Sequence, residues 1–318
     1  MRLSASLRAN GYGPVCPGPC SLTVKKGHGM RRNAAAVVGF VLATICASAQ
    51  QVGPKSGALV VVGGAMSDPA IIERFIDLAG GGDAPIVVVP TAGDADTYDE
   101  HWSGLRQFRA NGARNLTVLH SRDPKVADTE AFARPLTTAR GVFFAGGRQW
   151  RLADAYLNTR TQRELQALLD RGGVIGGTSA GATILGSFLV RGDTKGNDLM
   201  VGDHVVGFGF LKNSAIDQHL LRRNRQFDLI DVIAKRPELL GIGIDENTAI
   251  VVQGDRFEVV GRGYVAMYDA KHETRPPAKF YLLGAGDRYD LVKREATRRA
   301  EQYQPLENVG PPRRPPGQ

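Results

Sequence analysis

A doubly wound α/β sheet, mostly parallel and flanked by helices, is the fold class this sequence predicts, and three observations carry it. Short apolar runs recur from residue 57 onward, amphipathic stretches separate them, and after about residue 248 the runs shorten and crowd together. The runs "ALVVVGG" (58–64), "PIVVVPT" (85–91), "LTVLH" (116–120), "GVFFAGG" (141–147) and "GVIGG" (173–177) are rich in Val, Ile and Phe. Continuous apolar character suits strands covered on both faces, as parallel sheets require.

Between these runs the pattern turns helical. Ser67-Asp68-Pro69 is a capping residue followed by proline at a first helical position, and Ile71, Ile72, Phe75, Ile76 and Leu78 then share a face. Residues 96–111 space Tyr98, Trp102, Leu105 and Phe108 as a helix would, and residues 159–171 supply Leu165, Leu168 and Leu169. Strand and helix in alternation predict the doubly wound sheet. "TAIVVQ", "RFEVVGRG", "YVAMYDA" and "KFYLLGAG" read as antiparallel strands extending the same domain. One α/β domain is expected over 57–295, followed by a Pro-rich disordered tail over 296–318.

The formal charge of +8 is unevenly placed. Arg2, Arg8, Lys25, Lys26, Arg31 and Arg32 lie in the first 49 residues without one acidic residue, leaving +2 for the remainder. That removes the electrostatic footprint expected of a nucleic-acid binder. Residues 1–49 read as a leader, an upstream extension and then a signal peptide from Met30. Two arginines precede an apolar run from Ala34 to Cys46, and Ala47-Ser48-Ala49 makes a small-x-small cleavage site. The run is shorter than the roughly 20 residues of a membrane span, so export to the periplasm or beyond is expected, without stable membrane association after cleavage. An uncleaved anchor is the competing reading. All three cysteines (Cys16, Cys20, Cys46) precede the cut, so covalent chemistry in the mature chain must use oxygen or nitrogen.

Gly177-Thr178-Ser179-Ala180-Gly181 fits the G-x-S-x-G nucleophile elbow, with a strand-like run before it and helix-capable "AGATILGSF" after. A plain Gly-Ser turn is the alternative in a chain with 39 glycines. A serine nucleophile needs a base. Outside the leader stand His101, His120, His204, His219 and His272, and His219 is set apart by Asp217, Gln218, Arg222, Arg223 and Arg225 close around it. Acid, amide and cations gather where charge is handled. The other four histidines are scattered, without metal-ligand spacing, and read as structural or surface residues. "VVVGGAMSD" lacks the third glycine and acidic residue of a dinucleotide site, so no cofactor is expected.

With "GTSAGA", "FFAGGRQ", "IDQHLLRRNR" and "GIGIDENTA" in that order, the chain resembles the cyanophycinase family of serine peptidases and the related aspartyl dipeptidases. The resemblance covers roughly residues 57–283 and implies a class I glutamine amidotransferase-like fold. It implies Ser179 as nucleophile, His219 as general base, and the backbone N–H groups of Gly147 and Ala180 as oxyanion donors. Gln149, Asp217, Gln218, Arg223 and Arg225 then fall on substrate-pocket positions, arginine gripping the aspartyl carboxylate. The implied substrate is a peptide or Asp-Arg-type polymer cut after aspartate, with a homodimer left open and no metal.

Three departures stand out. The acid expected about eighteen residues after the serine falls on Asn197, with Asp198 adjacent and Asp193 slightly earlier. Asp198 is preferred, and Glu246 is read first as a turn residue. Family "GGDQ" is "GGRQ" here, through Arg148, and an expected third arginine is Asp228. Two other readings remain. An α/β-hydrolase esterase would draw its histidine from His272, and an exported aspartyl-peptide-binding protein would have lost catalysis.

Overall fold

Residue-by-residue alternation of buried side chains organises the structure, a computed structural model that describes residues 51–271 and 279–298. The leader, His272 and the tail beyond Arg298 lie outside the described residues. Strand β1 (Ala58–Val62) shows the rule: Leu59 and Val61 enter one core, Ala58, Val60 and Val62 the other, and all five are buried. A strand covered on both faces has no room for a polar residue, which is why the run is continuous.

Chain order continues with α1 (Pro69–Ala79), β2 (Ile86–Val89), α2 (Arg106–Ala110), β3 (Leu116–Val118), α3 (Pro124–Ala127), α4 (Glu130–Thr138) and β4 (Gly141–Phe144). Then come α5 (Gln149–Tyr156), α6 (Arg160–Asp170), β5 (Val174–Thr178), α7 (Ala180–Thr183), β6 (Gly186–Phe188), β7 (Leu211–Gln218) and α8 (Asp228–Lys235). Six further strands precede the last one: β8 (Leu240–Ile244), β9 (Thr248–Gln253), β10 (Arg256–Gly261), β11 (Val265–Asp269), β12 (Tyr281–Leu283) and β13 (Arg288–Asp290). The last strand, β14 (Glu295–Thr297), pairs Ala296 with Tyr289 and Thr297 with Arg288, so these two residues belong to the sheet rather than to the tail.

Two sheets result. The larger runs β14-β13-β10-β9-β1-β5-β4-β2-β3, parallel from β1 to β3 and antiparallel on the β9 side. Helix α1 begins as its sequence demands. The Asp68 carboxylate accepts from Ala70 N at 3.1 Å, proline follows, and Gly80 closes the helix at φ 108. Phe75 on its inner face meets Phe143 edge-on at 5.2 Å.

A smaller sheet runs β12-β11-β8-β7-β6. "YVAMYDA" and "KFYLLGAG" form its antiparallel strands β11 and β12, while β9 and β10 extend the main sheet, so all four runs are the antiparallel strands expected. Helix content is shorter than the periodicity of 96–111 suggests. The Asp99 carboxylate accepts from His101 N at 2.9 Å and its carbonyl from Trp102 N, so a local turn replaces helix until Ser103. After Ser179 only one helical turn forms before β6.

The strand ends position the chemistry. Parallel β1, β4 and β5 direct their carboxyl ends to one edge, where ligand crevices of open α/β sheets form. Strands β7 and β8 of the smaller sheet, parallel to each other, end there too, bringing His219 and Glu246 towards Ser179.

Candidate active site

Ser179 stands between β5 and α7 with φ 55 and ψ −117, a conformation that L-residues rarely hold. Such strain is on the order of 1–3 kcal/mol and persists only where the surroundings enforce it. Glycine on each side enforces it. A Cβ on Gly177 would lie 2.0 Å from the Gly181 carbonyl oxygen, and one on Gly181 would lie 2.2 Å from the Phe144 oxygen. Ser179 N–H donates to Val62 O at 3.0 Å, tying the elbow to the end of β1. The pattern is therefore a true elbow, sterically closed to larger residues, and not a plain Gly-Ser turn.

His219 follows β7 in a second left-handed position, φ 53. Its N–H donates to Gly63 O at 2.9 Å, and the Gly64 backbone lies flat against the ring: a Cβ there would fall 2.3 Å from the imidazole Cε1. The Gly63-Gly64 turn after β1 is thus a seat for the imidazole. Seated so, Nε2 is 2.9 Å from Ser179 Oγ and Nδ1 is 2.7 Å from Glu246 Oε1. Because a carboxylate only accepts, Nδ1 carries the proton and Nε2 is free to accept from the serine hydroxyl. Burial pushes the His219 imidazole below the usual histidine value, as do the Arg223 and Arg225 charges, while the Glu246 contact opposes them. The ring is consequently held in its basic, proton-accepting form.

Glu246 overturns the expected choice of acid. Asp198 is exposed, in the loop between β6 and β7, and is not what Nδ1 meets. The Asp193 carboxylate closes a local turn, accepting from Lys195 N and Gly196 N, and the Asn197 carbonyl accepts from Arg191. Glu246 reaches the imidazole because Asp245-Glu246-Asn247 links the two sheets. Asp245 accepts from Leu221 N and Arg222 N, and Asn247 N donates to Gly64 O. A signal for it did exist: the two carboxylates Asp245 and Glu246 that follow the buried "LLGIGI" run must lie at a strand end.

The oxyanion candidates border the serine. Ala180 opens α7, and a Cβ on Gly146 would lie 3.2 Å from Ser179 Cβ. Gly147, at φ 141, packs so tightly on Ala92 O that a Cβ would come within 2.0 Å of it.

The five pocket positions separate into two groups. Asp217 is fully buried and takes two parallel bonds from Arg191, Nε to Oδ1 at 2.8 Å and Nη2 to Oδ2 at 2.9 Å. Arg191 also donates to Asp228. Gln218 is buried, accepting from Arg225 Nη1 at 2.8 Å through Oε1. These three, with Arg191, brace the turn that carries His219. Arg223 is exposed beside His219, its N–H on the His219 carbonyl. Gln149 is buried and donates through Nε2 to Val190 O and Arg191 O, while its Oε1 has no hydrogen-bond partner. Arg191 was not anticipated; its pairing with Asp217 leaves no local trace in the sequence. Among the described residues no cluster of three or more His, Cys, Asp or Glu could hold a metal ion, and no helix is long and apolar enough to cross a membrane.

Comparison with known proteins identifies the family of the chain. The chain is 33% identical over 255 residues to a cyanophycinase of Geminocystis herdmanii, covering 73% of this chain and 93% of that protein. It is 31% identical over 257 residues to a cyanophycinase of Synechococcus elongatus, covering 74% and 79%. The crystal structure of a peptidase from an acI-B1 Actinobacterium superposes with a TM-score of 0.55 at 26% identity, covering 76% of this chain and 98% of that one. Residues 59–260 match the model of Peptidase family S51. The chain is therefore a serine-type peptidase and belongs to peptidase family S51.

Proposed function

We propose that this protein is exported and hydrolyses aspartyl or isoaspartyl peptide bonds through a Ser179–His219–Glu246 relay. The observation that carries the proposal is the pair of contacts on one imidazole, 2.9 Å to Ser179 Oγ and 2.7 Å to Glu246 Oε1. Ser179 Oγ attacks the scissile carbonyl carbon as its proton passes to His219 Nε2. The carbonyl oxygen takes up negative charge and accepts from the N–H groups of Gly147 and Ala180. Collapse breaks the C–N bond, His219 hands its proton to the departing amine, and an ester to Ser179 remains. Water then attacks the ester, giving its proton to His219, and the bond to Oγ breaks as Oγ is reprotonated.

Each element has a rough worth. Positioned proton transfer contributes about 10²–10⁴-fold, and one oxyanion donor about 2.7–4 kcal/mol. Glu246 fixes the tautomer and stabilises the imidazolium, the role the sequence assigns to Asp198. Arg223, exposed beside His219, is the arginine placed to take the aspartyl carboxylate. Family membership and the similarity to cyanophycinases support the aspartyl substrate, and the segment from Met30 to Ala49 supports export. The α/β-hydrolase alternative loses its ground, because the imidazole that meets the serine hydroxyl is that of His219.

The test compares hydrolysis of cyanophycin, β-Asp-Arg and α-Asp-X dipeptides by wild type and Ser179→Ala. A drop in turnover of about 10⁶ is expected. Full activity of Ser179→Ala on any peptide the wild type cleaves would refute the mechanism. N-terminal sequencing of the secreted chain should begin at Gln50, and an intracellular, uncut chain would refute export.

A further inference from the structure

Guanidinium groups around Ser179 are of two kinds, those spent on internal partners and those left over. Arg191 is held by Asp217 and Asp228, and Arg225 by the Gln218 carbonyl and side chain. Arg151 donates to Asp94 and to the Ala92 and Gly93 carbonyls, and Arg122 to Asp96 and to the Gly93 and Ala95 carbonyls. Arg222 approaches Glu246 at 3.9 Å. Arg148 and Arg223 have no side-chain hydrogen bond or ion pair to another described residue.

These two belong to separate chain segments that border the nucleophile and its base. Arg148 is half-buried at the start of α5, directly after Gly147, in the segment that packs on Ser179. Its backbone N–H donates to Ala92 O at 2.8 Å, which fixes the segment. Its charge is felt by Asp94, but that carboxylate is bonded to Arg151. Arg223 stands in the turn that begins at His219, and its charge acts on the imidazole. A half-buried guanidinium with no partner favours an incoming carboxylate and repels a second guanidinium, so one side chain both selects and rejects.

We propose that Arg148 and Arg223 receive two carboxylates of one substrate, on either side of the scissile bond, so that the preferred leaving residue is acidic rather than arginine. This rests on the aspartyl acyl-enzyme reading of the proposed function. Arg223 takes the carboxylate of the acyl-side aspartate, and Arg148 the acidic side chain of the residue released as the amine. The covalent steps are unchanged; only the recognition of the departing half is specified. Partly solvated contacts of this kind are worth on the order of threefold to tenfold in kcat/KM.

The experiment measures kcat/KM for β-Asp-Glu and β-Asp-Arg dipeptides with wild type, Arg148→Gln and Arg148→Glu, at low and high salt. Both dipeptides carry the same terminal carboxylate, so the ratio isolates the side chain. Wild type should prefer β-Asp-Glu by about threefold to tenfold, less at high salt. Arg148→Gln should bring the ratio near one, and Arg148→Glu should invert it. Labelling of Ser179 by a fluorophosphonate in each variant checks that the site is still folded. Equal or faster cleavage of β-Asp-Arg by wild type would overturn the inference while leaving the peptidase reading intact. So would an unchanged ratio in a labelled Arg148→Glu enzyme. If neither dipeptide is cleaved, the aspartyl reading fails and takes this inference with it.

Discussion

Replacing Glu246 by glutamine removes a charge and almost no volume, and its effect can be worked from the structure. The Oε1 atom of a glutamine can still accept from His219 Nδ1, so ring orientation and the 2.9 Å approach to Ser179 Oγ should survive. What disappears is the negative charge that steadies the imidazolium once Ser179 has given up its proton. Two unit charges about 4 Å apart interact by about 4 kcal/mol at an effective dielectric of 20. The Glu246 side chain is 24% exposed and that of His219 10% exposed, so solvent screens part of this. About 2–4 kcal/mol of transition-state stabilisation remains at stake, roughly a 30- to 1000-fold fall in kcat at 1.36 kcal/mol per tenfold. Steady-state kinetics with wild type, Glu246→Gln and Asp198→Asn is the assay. Asp198→Asn should stay within about twofold, as surface changes usually do. Wild-type turnover in Glu246→Gln, together with a large loss in Asp198→Asn, would refute the reasoning and restore the acid preferred from sequence.

The same contacts set three further expectations. With His219 as the proposed neutral base, held below the usual histidine value, the acid limb of kcat/KM should have its midpoint below that value; Arg223→Gln removes a lowering charge and should move the midpoint to higher pH. Gly64→Ala should lower kcat on the order of 10²-fold, because its methyl group would intrude on the imidazole seat; unchanged kcat would show that the seat does not fix the ring. Burial lowers the His204 value, but Asp203 (3.0 Å) and Asp154 (2.8 Å) on its two ring nitrogens together outweigh burial and raise the folded value above the usual one. Its stabilisation is therefore complete below the ordinary histidine value and lost as pH rises through the raised one, so urea unfolding of His204→Gln against wild type should differ at pH 5 and converge at pH 9.

Local rules made part of this molecule legible. Helix α1 could be placed from Asp68-Pro69 and its apolar spacing, and the elbow from glycines whose necessity is steric. The parallel strands showed as unbroken apolar runs because both their faces are covered. What stayed hidden depends on partners distant in the chain. Strand β7, "LKNSAIDQ", carries a carboxylate that can be buried only because Arg191, 26 residues earlier, neutralises it. Asp217 and Gln218 looked substrate-facing from their adjacency to His219, yet both are buried, because the end of β7 is covered on both faces. Glu246 lies 27 residues beyond His219 and meets it only through the parallel pairing of β7 with β8, which counting from the serine cannot reveal.

In the proposed mechanism the imidazole of His219 activates Ser179 Oγ. Incubation with a fluorophosphonate, followed by peptide mapping, reads that activation at the atom concerned. A single adduct is expected on Ser179 in wild type, its formation slowed by orders of magnitude in His219→Ala and abolished in Ser179→Ala. Peptidase activity that survives without any adduct on Ser179, or labelling just as fast in His219→Ala, would contradict it.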